Sequence, residues 1–185
     1  MVKHIPNAIT LFRIILIPIF VGVYYAPIEQ AYLMAVALFM FAGLSDGMDG
    51  YLARRFKVTS DFGQFLDPLA DKLIVAAAAI IVAVTYQHWL YSAAAILIIG
   101  RDTYISGLRE WAMHHNVSGA VKVSWWGKAK TALQFMALTF LLYGDYLYVL
   151  DLKLIGDVFL ALATLLSLYS MILYSYNLYN ALQHE

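Results

Sequence analysis

Long apolar runs alternate with short polar breaks along the whole chain, and six runs approach the roughly 20 residues that a spanning helix needs. The polar stretch 110–124 is at best amphipathic, and we expect it to lie at a membrane surface. No internal repeat or linker interrupts the pattern, so residues 1–185 are predicted to form one all-α domain, a bundle of six transmembrane helices. The predicted helices cover residues 8–25, 31–54, 61–84, 90–109, 125–143 and 154–176.

Composition supports a membrane protein. Hydrophobic residues make up 63% of the chain and charged residues only 13%, whereas soluble domains carry roughly a quarter charged residues. The net charge is zero, which gives no reason to expect a nucleic-acid partner. With no cysteine, the chain has neither a disulfide nor a thiolate metal site.

The basic residues orient the predicted bundle. Six crossings bring both termini to one side, and positive residues favour the cytoplasmic side of a membrane. With Lys72 set aside because it lies within a predicted span, only Lys153 falls on the opposite side. We therefore expect both termini in the cytoplasm. The residues on that side are Lys3, Arg13, Arg54, Arg55, Lys57, Arg101, Arg109, Lys122, Lys128 and Lys130.

Four carboxylates interrupt the second and third apolar runs, where acids are costly and mark functional sites. Asp46 and Asp49 are spaced i, i+3, while Asp67 and Asp71 are spaced i, i+4, so each pair shares a helix face. Two packed helices would direct all four into one pocket, where mutual repulsion calls for cations. Oxygen ligands favour hard divalent ions, so the spacing predicts a Mg²⁺ or Mn²⁺ site.

Other interpretations of these acids explain less of the pattern. A calcium loop of the EF-hand type is excluded because Met48 and Gly50 stand where ligands are needed. Helix caps account for one or two of the acids. Proton-relay acids of an ion-coupled transporter account for three, but not for the glycines or for Arg54 beside them. Glycines allow a ligand to approach the backbone, and arginine suits phosphate.

The acids, glycines and arginine of this region form one continuous pattern, Asp46-x2-Asp49-Gly50-x2-Ala53-Arg54-x8-Gly63-x3-Asp67-x3-Asp71. This pattern resembles the complete signature of the CDP-alcohol phosphotransferases. The resemblance implies an enzyme that transfers a phosphatidyl group from CDP-diacylglycerol to an alcohol and releases CMP. It also implies a homodimer in the bacterial cytoplasmic membrane.

The resemblance also implies a role for each residue of the signature. Asp46, Asp49 and Asp67 would be ligands of two divalent metal ions, and Asp71 would be the general base that also touches the second metal. The other signature residues and the start of the first helix would bind the CDP-lipid. That set is Asp46, Gly50, Ala53, Arg54, Gly63, Asn7 and Thr10.

Resemblance outside the signature points to sn-glycerol 3-phosphate as the acceptor. Serine, an inositol phosphate, or phosphatidylglycerol as in cardiolipin synthases remain alternatives, as does the transporter. The segments that carry this wider resemblance are Pro6-Asn7-x2-Thr10-x2-Arg13, Asp67-Pro68-x-Ala70-Asp71-Lys72, the Arg101 and Leu108-Arg109-Glu110 region, and Gly127-Lys128-x-Lys130-Thr131.

Four basic residues from this wider set are candidates for binding the acceptor phosphate. Arg101, Arg109, Lys128 and Lys130 all fall on the predicted cytoplasmic side. The alternative is that they only follow the positive-inside pattern. Arg13 also belongs to the wider resemblance. The alternative to a role in the site is that its side chain only extends along the helix to the cytoplasmic interface.

Overall fold

The computed structural model describes residues 5–56, 61–115, 117, 119, 125–144, 146–147 and 150–183. Within these ranges the structure contains six helices and one short antiparallel hairpin, in which Tyr146 pairs with Asp151. The helices are α1 (Ile5–Tyr24), α2 (Ala31–Phe56), α3 (Asp61–Tyr86), α4 (Trp89–His114), α5 (Trp125–Tyr143) and α6 (Leu152–Gln183). The hairpin strands are β1 (Tyr146–Leu147) and β2 (Leu150–Asp151).

The six predicted helices are confirmed, and the corrections concern their ends. The fourth continues to His114, so the first part of the stretch expected at the membrane surface is helical. Residues 110–114 contain no proline or glycine to stop it. The last helix extends to Gln183, and the turn before it contains the hairpin. Asp151 caps this helix, because its Oδ1 accepts a hydrogen bond from the Leu154 amide at 2.9 Å.

Among the described residues, two helical segments are long and apolar enough to cross a membrane by themselves, Pro68–Tyr86 and Leu152–Gln183. Phe12–Tyr24 and Ala31–Ser45 are shorter apolar segments. Large aliphatic side chains also cover the outside of the bundle, among them Ile96, Leu165 and Ile172. An apolar outer surface of this kind suits contact with lipid.

The aromatic core explains how closely α2 and α5 approach each other. The rings of Phe39 and Phe135 stack with centroids 4.7 Å apart, and Phe20 of α1 packs on Phe39 at 5.9 Å. A Cβ atom at Gly43 would lie 2.3 Å from the Phe135 ring. Only glycine leaves room for that ring, as small residues do where membrane helices pack.

The core and a cavity occupy different halves of the helices. The core includes Ala78, Ala79, Ile81 and Val82 of α3, Ala94, Ala95 and Ile98 of α4, and Ala137, Leu138, Leu141 and Leu142 of α5. The other half of each helix lines the cavity, from Pro68 on α3, from Arg101 on α4 and from Gly127 on α5. The candidate site therefore lies at one end of a bundle whose other end is packed.

Candidate active site

A cavity of about 590 Å³ opens between five of the helices. It combines carboxylates, several cations and apolar side chains, as expected of a site for a small charged ligand. Its lining includes Gly43 and Leu44 of α2, Pro68, Asp71 and Lys72 of α3, Arg101, Asp102, Ser106 and Arg109 of α4, Gly127, Lys128, Thr131, Gln134 and Phe135 of α5, and Tyr174 of α6.

Both halves of the acidic signature approach this cavity. Gly43 and Leu44, which line it, stand just before Asp46 on α2, while Pro68 directly follows Asp67 on α3. Asp71 itself is in the lining. For seven residues of the signature, the structure describes only the helical backbone, and their side chains lie outside the described part. These are Asp46, Asp49, Gly50, Ala53, Arg54, Gly63 and Asp67; the same holds for Asn7 and Thr10 on α1.

Asp71 forms an ion pair with an arginine from α1. The Nη1 atom of Arg13 donates a hydrogen bond to Asp71 Oδ1 at 2.7 Å. The Arg13 side chain is 3% exposed and that of Asp71 is 43% exposed. The arginine is therefore buried beneath the carboxylate instead of extending to the interface. A buried cation requires such a partner, since desolvation of an unpaired charge is costly.

The donor chemistry of the signature fits divalent metal ions. Asp71 presents one carboxylate to the cavity, and the backbone brings the segments that carry the other three acids to its edge. Four carboxylates form an all-oxygen set that suits Mg²⁺ or Mn²⁺. Among the side chains that the structure describes, no three potential ligands cluster, so the metal site stays a prediction.

Three of the four predicted acceptor-binding residues line the same cavity as Asp71. Arg101 is fixed there, because its Nη1 contacts Asp102 Oδ1 at 2.9 Å and its Nη2 donates to Ser170 Oγ at 2.8 Å. The Arg109 guanidinium lies over the Tyr174 ring, 5.7 Å from its centroid. Lys128 is exposed at the start of α5. Cations from two helices thus face one space, as anion binding requires.

The fourth residue, Lys130, has a different environment. Its side chain is fully buried, and its Nζ lies 2.8 Å from Asp102 Oδ1. It is not among the described residues that line the cavity. Lys130 therefore neutralises Asp102, which in turn holds Arg101, and direct binding of the acceptor by Lys130 stays a prediction.

Lys72 also has a structural partner. Its Nζ donates a hydrogen bond to Ser106 Oγ, and that hydroxyl donates to the Asp102 carbonyl at 2.8 Å. These bonds connect α3 to α4 beside the cavity.

Sequence reasoning missed several polar residues of the site. Asp102 joins Arg101 and Lys130, and Gln134 lines the cavity with its side chain 2% exposed. Gln134 stands between Leu133 and Phe135 in an apolar helix, and a polar residue in such a segment is a signal that the sequence did offer. Tyr174 carried no comparable signal among the many tyrosines of the chain.

Comparison with known proteins adds an independent line of evidence. The family described as CDP-alcohol phosphatidyltransferase matches residues 3–174 of the chain. This match covers α1 to α5 and the first part of α6, and it includes every described residue that lines the cavity.

Curated relatives match at nearly full length. A protein from Haemophilus influenzae is 43% identical over 175 residues, which cover 92% of this chain and 91% of its own. One from Pectobacterium atrosepticum is 43% identical over 98% of this chain and 96% of its own. One from Salmonella typhimurium is 41% identical over 92% of each chain. All three are named CDP-diacylglycerol--glycerol-3-phosphate 3-phosphatidyltransferase.

Proposed function

The chain belongs to the CDP-alcohol phosphatidyltransferase family, and from this membership we propose that it transfers a phosphatidyl group from CDP-diacylglycerol to sn-glycerol 3-phosphate. The products are phosphatidylglycerophosphate and CMP, in a step of phospholipid biosynthesis. The names of the relatives support these substrates. Their match over more than nine-tenths of each chain supports the same reaction here.

One observation carries the proposal within this structure. Asp71 lines the same cavity as Arg101, Arg109 and Lys128. A carboxylate that accepts a proton must lie near the attacking hydroxyl, while the phosphate of the acceptor carries about two negative charges and needs cations. A single small molecule with a hydroxyl group and a phosphate meets both requirements of this cavity.

The proposed transfer balances as a substitution at phosphorus. A terminal hydroxyl oxygen of glycerol 3-phosphate attacks the phosphorus of the phosphatidyl group, and its proton passes to Asp71. The bond between that phosphorus and the oxygen of CMP breaks, so that CMP leaves with the bonding pair. Arg101, Arg109 and Lys128 hold the acceptor phosphate, which keeps the hydroxyl directed toward the reacting centre.

Asp46, Asp49, Asp67 and Asp71 would hold two divalent metal ions, which we propose to be Mg²⁺, with Mn²⁺ as the alternative. When bound, such ions neutralise the diphosphate and acidify the attacking hydroxyl. Arg13 already places a fixed positive charge against Asp71 from the side of α1. Its hydrogen bond holds the Asp71 carboxylate in a fixed orientation at the cavity.

For the CDP-lipid we propose the remaining signature residues and the start of α1. Gly50, Ala53 and Gly63 would allow close packing of the cytidine part, and Arg54 would contact the phosphates. Asn7 and Thr10 precede Arg13 on α1, which contacts α2 and α3. This places α1 beside the signature helices, where a nucleotide would be enclosed.

The membrane arrangement follows from the apolar surface and the charge pattern. We propose six transmembrane helices in one domain, a multi-pass protein of the bacterial cytoplasmic membrane with both termini and the cavity on the cytoplasmic side. The two apolar spans and the exposed aliphatic surface support this arrangement. A homodimer is inferred from the family alone.

An acceptor panel tests the proposed function. Purified protein in detergent with CDP-diacylglycerol and Mg²⁺ should release CMP with sn-glycerol 3-phosphate. Free serine, inositol, inositol phosphate and phosphatidylglycerol should support far slower release. If one of these compounds were used as readily as sn-glycerol 3-phosphate, the proposed acceptor would be wrong. If no acceptor gave CMP release without a membrane gradient, the result would favour a transporter.

A further inference from the structure

Gln134 brings to the cavity wall a buried polar group that lacks a hydrogen bond. It lies on α5 among the cavity-lining residues, and its side chain is 2% exposed. In the part of the chain that the structure describes, its Oε1 atom is buried and accepts no hydrogen bond. Buried acceptors in folded proteins are nearly always paired, so an unpaired one beside a ligand cavity suggests a ligand partner.

The hydroxyl groups nearby are already engaged. The Thr131 hydroxyl, on the same wall, donates to the carbonyl oxygens of Gly127 and Lys128 at 3.0 and 2.9 Å. The Ser106 hydroxyl donates to the Asp102 carbonyl and accepts from Lys72. Within the described part of the chain, Gln134 differs from these neutral neighbours because its Oε1 atom is buried and takes part in no hydrogen bond.

The inference rests on the proposed function, because one polar group of glycerol 3-phosphate still has no partner assigned in the site. Its phosphate is assigned to the cations and its reacting terminal hydroxyl to Asp71. The hydroxyl at carbon 2 still requires an acceptor when water is excluded. An amide oxygen can accept a hydrogen bond from an alcohol, and its last side-chain torsion is soft enough to turn Oε1 toward the cavity.

We propose that Gln134 is a specificity-determining residue, which accepts a hydrogen bond from the carbon-2 hydroxyl of the acceptor. The site then selects phosphorylated vicinal diols. A methylene at carbon 2 leaves Oε1 unpaired. A ketone at carbon 2 brings a second acceptor against it. Sites that hydrogen-bond a substrate hydroxyl discriminate strongly against analogues lacking it.

The test compares three acceptors that share a phosphate and a terminal hydroxyl. They are sn-glycerol 3-phosphate, 3-hydroxypropyl phosphate, which lacks the carbon-2 hydroxyl, and dihydroxyacetone phosphate, which has a ketone there. The wild-type protein should prefer the first over each of the others by about ten- to a hundredfold in kcat/KM. Absence of this preference in the wild-type protein would overturn the proposal without any variant.

The variants locate that preference at Gln134. Gln134→Met conserves volume and should slow only the reaction of glycerol 3-phosphate. Its kcat/KM for glycerol 3-phosphate should therefore lie within about threefold of its kcat/KM for each analogue. Gln134→Glu keeps a carbonyl oxygen at the same length. Its added charge affects all three phosphates alike and cancels in the ratio, so the preference should survive. Gln134→Asn shortens the side chain and should lose the preference.

Thr131→Val is the matched control, because it removes a hydroxyl of the same wall that is already bonded to the backbone. It should leave the ratio between acceptors unchanged. A Gln134→Met protein that keeps the wild-type ratio would overturn the inference, while the proposed function would stand. If no phosphorylated acceptor supported CMP release, the proposed function itself would fail.

Discussion

Arg13 Nη1 lies 2.7 Å from Asp71 Oδ1, so the first helix supplies a buried cation to the carboxylate that we propose as the general base. The two residues are 58 positions apart in the sequence. The pairing orients a carboxylate that is otherwise accessible from the cavity. If Asp71 is the general base, as we propose, the pairing also gives α1 a role in the chemistry.

We expect Arg13→Ala to lower kcat because Asp71 loses its orienting partner. Removing a hydrogen bond to a charged group costs roughly 1.5–3 kcal/mol, which corresponds to about a ten- to hundredfold slower reaction. The conservative Arg13→Lys keeps the charge and should retain more activity. Steady-state kinetics of both purified variants measure the effect, and thermal unfolding separates lost activity from lost fold. Wild-type kcat in Arg13→Ala would contradict the role.

Helix positions were largely predictable from the sequence, because apolar runs of spanning length and polar breaks are local features. The pairing partners were not, since a partner is fixed by tertiary packing. Arg13 had two open interpretations, and only the structure shows its ion pair with Asp71. Lys128 and Lys130 lie two positions apart, which is about 200° around a helix. That spacing already indicates that they face different surroundings, as the structure shows.

Activity should depend on a divalent metal, because the proposed site combines the four carboxylates of the signature with a diphosphate that is also negatively charged. Chelation with EDTA should abolish CMP release, and Mg²⁺ or Mn²⁺ should restore it. Ca²⁺ is a useful control, since it is also hard but larger and less strict in its geometry. Full activity after rigorous metal removal would exclude the proposed metal site.

Asp71→Asn and Asp49→Asn should differ in what they lose. Asp71 is assigned to accept the proton of the attacking hydroxyl. The Asp71→Asn protein should therefore react roughly 10²–10⁴-fold more slowly but still bind CDP-diacylglycerol. Asp49 is assigned to metal, so its variant should bind the nucleotide-lipid less well. Binding measured by titration, together with kcat, distinguishes the two. Equal loss of binding in both variants would show that this division of roles is wrong.

The proposed orientation places the segment between α2 and α3 in the cytoplasm and the hairpin before α6 on the opposite side. Since the chain has no cysteine, a single introduced cysteine reports the side of the membrane on which its own position lies. An impermeant thiol reagent applied to intact cells should label a cysteine at Asp151 but not one at Lys57. Lysed cells, in which both should react, provide the control. The reverse pattern in intact cells would invert the orientation.

The cations of the cavity should control the acceptor and not the lipid. Arg109→Ala and Lys128→Ala each remove a charge that faces the same space as Asp71. The KM for glycerol 3-phosphate should therefore rise by about ten- to a hundredfold, as expected when a charge-assisted hydrogen bond is truncated. The KM for CDP-diacylglycerol should change much less.

Lys130→Met is the contrasting variant on the same helix. It removes a fully buried cation and leaves Asp102 with Arg101 as its remaining described partner. Breaking a buried pair costs about 3–5 kcal/mol, so a lower unfolding temperature should be its main effect. Any change in acceptor KM should be smaller than in Lys128→Ala, because Lys130 acts through Asp102. If Lys130→Met raised the acceptor KM as much as Lys128→Ala, with unchanged stability, Lys130 would bind the acceptor directly.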